Sequence, residues 1–121
     1  MKYMLLIYSD LAGWPDDPTE AEQISKEYFV FTQQIVDSGE LISGDALEGT
    51  ETATSIRVRN GKTSATDGPF AETKEVLGGY YVVDVKDLDR ALELAAQIPD
   101  ARLGGVVEVR PVRDYSATGE G

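Results

Sequence analysis

A chain of 121 residues has room for one hydrophobic core, and the absence of cysteine and histidine excludes disulfides, thiolate or imidazole zinc sites, His-ligated haem and the usual neutral-pH general base. Eleven Lys plus Arg against 22 Asp plus Glu leave a net charge of −11, which repels nucleic-acid backbones and anionic membranes and predicts no direct partner of either kind. The acidity reads first as solubility, with attraction of a cationic ligand or partner as the alternative.

The first strand is predicted over residues 2–8, where Tyr3, Leu5 and Ile7 alternate with Met4, Leu6 and Tyr8, so that both faces are apolar. This longest apolar run is far below the roughly 20 residues of a membrane span, and no signal-peptide pattern precedes it. A soluble cytoplasmic protein is the expectation. After a turn-rich loop, Thr19 with Glu22 suggests a capping box, and Ile24, Tyr28, Phe31 and Ile35 recur at helical spacing, predicting a helix over 20–38 that Gly39 stops. A second strand is expected over 41–46, weakened by Gly44.

Asn60-Gly61, the pair suited to a two-residue type I′ turn, joins segments 55–59 and 62–66 into a hairpin. Its register then opposes Arg59 to Lys62, Val58 to Thr63, Arg57 to Ser64 and Ile56 to Ala65. One hairpin face is mildly apolar and the other basic, and Arg57, Arg59 and Lys62 are expected to find carboxylates, water or an anionic ligand. A strand over 79–85 places Tyr80 and Tyr81 on opposite faces. Asp87 is placed to cap a second helix carrying Leu88, Ala91, Leu92, Ala95 and Ile98 on one side, closed by Pro99, and a last strand is expected over 105–112. Residues 1–115 read as one domain and 116–121 as a flexible tail.

The order strand, helix, strand, hairpin, strand, helix, strand is that of an α+β, ferredoxin-like split βαβ fold with an inserted β-hairpin. Two helices cover one sheet face, and the other is apolar too. A two-fold homodimer, sheet against sheet, is the self-complementary way to cover it.

Two groups of residues offer chemistry. In Asp67-Gly68-Pro69-Phe70-Ala71-Glu72-Thr73-Lys74-Glu75 a rigid Gly-Pro turn fixes Asp67 and Phe70, while Glu72 and Lys74 share one side of extended chain. Those two can orient a polar ligand or act as acid and base. The structural alternative has Asp67 accepting bonds from turn amides, Phe70 plugging the loop into the core, and Glu72 paired with Lys74 or an Arg. In the other group, Tyr8, Asp10 and Trp14 stand at the end of the first strand, where Trp14 offers a flat wall and Tyr8 a donor, or both simply pack. No nucleophile elbow, phosphate-binding loop or carboxylate spacing for Mg²⁺ or Ca²⁺ is present, so neither cofactor nor metal is expected.

Met1 to Tyr8, Thr66 to Glu75, Leu77-Gly78-Gly79-Tyr80-Tyr81 and Val107-Glu108-Val109-Arg110-Pro111 together resemble the YCII-related family, in the branch named for its Asp-Gly-Pro-Phe tetrapeptide. The resemblance implies a dimeric α+β barrel and, by association only, a link to extracytoplasmic-function sigma factors. It also implies a histidine–aspartate pair, which a chain without histidine cannot build. The leading expectation is a homodimeric small-molecule-binding or regulatory module whose cleft near the 67–75 loop is lined by Tyr8, Asp10, Trp14, Arg57, Asp67, Phe70, Glu72 and Lys74. One competitor is a cofactor-free enzyme similar to monooxygenases or isomerases, with Glu72 or Asp67 as base, Lys74 or Arg57 stabilising an enolate or carboxylate, and Tyr8 orienting substrate. The other is a structural protein-interaction subunit.

Overall fold

The structure is a computed structural model that describes residues 1–116. Strands β1 (Lys2–Asp10), β2 (Leu41–Ala46), β3 (Thr54–Arg59), β4 (Lys62–Asp67), β5 (Glu75–Asp84) and β6 (Val106–Pro111) are joined by helices α1 (Pro18–Asp37) and α2 (Leu88–Gln97). Strands β2-β5-β1-β6 form an antiparallel sheet in that order, and β3 and β4 pair only with each other. This is an α+β, ferredoxin-like split βαβ arrangement with a hairpin inserted between its second and third strands.

Alternation in the strands decides which side chains reach the core. Tyr3, Leu5 and Ile7 of β1 and Tyr81 and Val83 of β5 are buried under the helices, while Met4, Leu6, Tyr8, Tyr80 and Val82 lie half-buried on the outer face. Tyr80 and Tyr81 thus separate to opposite faces, as period-2 geometry requires. From α1, Ile24, Phe31 and Ile35 enter the core, with Phe31 edge-on to Tyr81 at 5.4 Å between ring centroids.

The structure corrects two helix readings. The α1 N-cap is Asp17, whose carboxylate accepts from the Thr19 amide at 2.9 Å, with Pro18 in the first turn. An Asp caps as well as a Thr, and proline's fixed φ suits the first helical position, so the Asp17-Pro18 pair outcompetes Thr19. On α2, capped by Asp87 through the Arg90 amide, the buried positions are Ala91, Leu94 and Ala95, with Ile98 just beyond; Leu88 and Leu92 are each 47% exposed. The 91, 94, 95, 98 spacing follows one helical face, and Leu92 sits about 100° of helical turn from Ala91.

The hairpin has the expected pairs, Arg59 with Lys62 through Ile56 with Ala65, around a turn in which Asn60 and Gly61 have φ of 51° and 75°. Apart from half-buried Ser55, its strand residues are exposed, and its base is tied by Gly68 N–H to the Ala53 carbonyl at 2.7 Å and by the Ser55 hydroxyl to the Gly68 carbonyl at 2.8 Å. Arg57, Arg59 and Lys62 form no ion pair among the described residues and are exposed, so of the surroundings expected for them it is water, not carboxylates, that they meet within the chain. Of the tail reading, Ser116 is exposed and bonds to Asp114, and residues 117–121 lie outside the described residues.

Candidate functional site

Two irregularities in the sheet open a space beside α1. Opposite the Ile7–Tyr8 step of β1, strand β5 carries Gly78 as an extra residue, a bulge that bends the strand where β1 ends and β2 finishes. Across from it, Gly44 pairs with Tyr81, and a Cβ there would stand only 2.8 Å from the Tyr81 ring and from the Tyr80 carbonyl oxygen. Glycine is therefore the residue that lets β2 close on β5 with the Tyr81 ring in place. Above this floor, Trp14, Tyr28, Thr32 and Asp100 complete the wall of a half-open cavity of about 400 Å³.

Asp100 organises that wall. It sits in the short 3-10 turn Pro99–Ala101 after α2 and is 3% exposed. One carboxylate oxygen accepts from Trp14 Nε1 at 2.8 Å, and the other accepts a short hydrogen bond from the Tyr28 hydroxyl. Its backbone carbonyl accepts from the amides of Leu103 and Gly105. A single residue thus ties the loop after β1, helix α1 and the approach to β6.

Burial, reinforced by the Asp100 hydrogen bond and charge, pushes the Tyr28 phenol far above its ordinary range. Burial raises the Tyr81 phenol too, partly offset by its hydrogen bond with Thr32, whose Oγ1 lies 2.6 Å away. Both phenols stay protonated at neutral pH, and Tyr28 serves as a hydrogen-bond donor rather than a base. Among the described residues no Lys or Arg lines the cavity. Among the described residues, no cluster of three or more carboxylates gathers to hold a metal ion.

Of the eight residues proposed from sequence, Trp14 alone lines this cavity. Asp10 and Lys74 come together elsewhere: Asp10 is 8% exposed, accepts from the Ala12 amide at 3.1 Å and lies 3.5 Å from Lys74 Nζ. Tyr8 is half-buried on the outer face of the sheet, opposite Leu77 and Val106. Arg57, Asp67 and Glu72 are exposed and outside the cavity. Phe70 does not plug the loop into the core; it is 81% exposed, because residues 69–74 run outside the sheet with no strand partner.

Sequence reasoning missed Asp100; Tyr28 and Tyr81 do pack as residues of the core and its margin, and they border the cavity as well. One signal was available: a carboxylate following the apolar Ile98-Pro99 pair, at the point where α2 ends against the core.

Comparison with known proteins places these features in context. A solved structure, the 5-chloro-2-hydroxyhydroquinone dehydrochlorinase TftG from Burkholderia phenoliruptrix AC1100 in complex with 2,5-dihydroxybenzoquinone, matches 97% of this chain and 98% of its own with a TM-score of 0.51 at 10% sequence identity, a likeness of fold. An uncharacterized protein of Rhizobium meliloti (strain 1021) is 35% identical over 119 residues, covering 95% of this chain and 94% of that one. The YCII-related domain family matches residues 1–116. By extent of match and by level of identity, the chain belongs to the YCII-related family.

Proposed function

We propose that this protein binds a small molecule in the cavity walled by Trp14, Tyr28, Thr32, Tyr81 and Asp100. The observation that carries the reading is a void of about 400 Å³ built around one sequestered carboxylate. Its volume falls in the range of small-ligand pockets, roughly 300–1,000 Å³, and an aromatic wall with few polar groups is what such pockets use for orientation. Trp14 is the chain's only tryptophan, so its emission reports occupancy directly. Screening small aromatic molecules by that emission, with Ala46→Phe as the control that crowds the mouth without adding a second indole, tests the reading. Ligands that bind the native chain and the crowded variant equally well place the site elsewhere.

A second reading, a cofactor-free acid–base enzyme, is favoured by the Tyr28–Asp100 pair and by the dehydrochlorinase that shares the fold. In it Tyr28 donates its hydrogen bond to a substrate oxygen and Asp100 takes up the proton that substrate releases. Glu72, Lys74 and Asp67 stand outside the cavity, which leaves this work to Asp100 and Tyr28. Turnover of a bound ligand that survives in Asp100→Asn would eliminate it.

We extend the proposal to the Asp-Gly-Pro-Phe branch of the family and to a two-fold dimer through the outer sheet face, where Met4, Leu6, Tyr8, Tyr80 and Val82 are only half-buried by their own chain. Sedimentation giving a single-chain mass at micromolar concentration would remove the dimer.

A further inference from the structure

We propose that the ligand of this cavity is a compact organic cation, an amine whose ammonium group pairs with Asp100 and whose apolar body lies among Trp14, Tyr28 and Tyr81. The inference rests on the cavity being a small-molecule site and specifies what enters it. Its starting point is a charge imbalance. Two other shielded carboxylates have cations: Asp10 has Lys74, and Glu40 is gripped by Arg90 through two bonds of 2.9 Å. Asp100, buried more deeply than either, has none; its two partners are neutral, an indole N–H and a phenol O–H.

A buried carboxylate is costly unless it is paired as well as hydrogen-bonded. Two neutral donors occupy only about half of a carboxylate's roughly four acceptor sites, so Asp100 retains capacity for further donors. Among the described residues nothing provides them as a cation. The nearest basic residue in sequence, Arg102, is committed to Glu27. An anionic ligand would meet the Asp100 charge without a Lys or Arg in the lining to offset it. An ammonium ligand meets three favourable conditions: the unpaired carboxylate, aromatic rings whose faces attract cations, with indole the strongest, and a net protein charge of −11 that concentrates cations near the surface.

The test is a charge series on one shape: benzylamine, benzyl alcohol and benzoate, titrated at pH 7 against the whole chain and followed by Trp14 emission. Benzylamine is expected to bind at least about tenfold more tightly than benzyl alcohol, as a charge-assisted bond and a cation–π contact together require, and benzoate more weakly than either. In Asp100→Asn the amine should fall to the affinity of the alcohol. Where that variant fails to fold, Ala46→Phe serves instead, and loss of amine binding there keeps the assignment to this cavity. Equal or tighter binding of the alcohol or of benzoate, lost on crowding by Ala46→Phe, overturns the cation while leaving the small-molecule site standing. Emission unmoved by any member of the series overturns both.

Discussion

Among the described residues Asp10 and Asp100 are the two buried carboxylates, and they are satisfied in opposite ways. Asp10 holds a local turn through the Ala12 amide and receives Lys74 from the 67–75 loop, a side chain that is itself 73% exposed. Its charge is balanced within the chain and in contact with water. Asp100 is bound only by neutral donors from residues 86 and 72 positions away, and it borders a void. Burial alone therefore does not distinguish a structural carboxylate from a ligand-directed one; what distinguishes these two is the presence of an internal cation.

The strongest way to break the comparison is to delete each carboxylate in turn. Asp100→Ala strips the acceptor from two half-buried donors at once and empties a buried site, so chemical denaturation should show a loss of about 2–4 kcal/mol. Asp10→Ala removes one part-buried bond from a turn amide and one exposed cation, and should cost about 1 kcal/mol. If Asp10 proves the costlier deletion, the ranking of the two sites is wrong. Both losses are to be read against Asp100→Asn, which keeps the shape and an acceptor oxygen and should fall between them.

A smaller effect tests the partner phenol. Because the Tyr28 phenol is raised in the folded chain, folding favours its protonated form. The stability it contributes is complete below the ordinary phenol range near pH 10 and declines as pH rises past it, since the unfolded chain then releases a proton that the folded chain keeps. Thermal unfolding followed from pH 8 to pH 11 should show this decline, and Tyr28→Phe should flatten it while costing about 1–2 kcal/mol at neutral pH. An unchanged alkaline slope in the variant would assign the decline to Tyr81 or to another group.

How much of this was legible in the sequence follows from the range of the interactions. The hairpin register is dictated by two adjacent residues, Asn60 and Gly61, and the faces of β1 and β5 by alternation over a few positions; both emerge as expected. The α1 cap fails by two residues because Asp17 and Thr19 are both competent, and only the Pro18 that follows Asp17 decides between them. The cavity is different in kind. Trp14 drew attention as an aromatic in a proline-flanked loop, yet its partners come from a helix and from a turn near the other end of the chain, and no local pattern joins them. The 67–75 motif dominates the sequence because Gly68, at φ +96°, and Pro69 specify a backbone shape. That shape leads Phe70 and Glu72 out towards solvent, and only Lys74 returns to a buried partner.

Lys74 is accordingly the place for the finest test of the contrast. Its ammonium answers Asp10 at 3.5 Å from an exposed position, where solvent and salt screen the attraction. A double-mutant cycle on Asp10 and Lys74 should yield a coupling of about 0.5 kcal/mol or less, shrinking further as salt is raised. Amine binding at the cavity should be unaffected by Lys74→Ala, because Lys74 does not line it. A large coupling that persists in high salt would mean that the loop shields Asp10 more closely than the exposure of Lys74 implies. The two carboxylates would then differ in the identity of their partners but not in their isolation from water, and the unbalanced charge of Asp100 would alone have to account for its place beside the void.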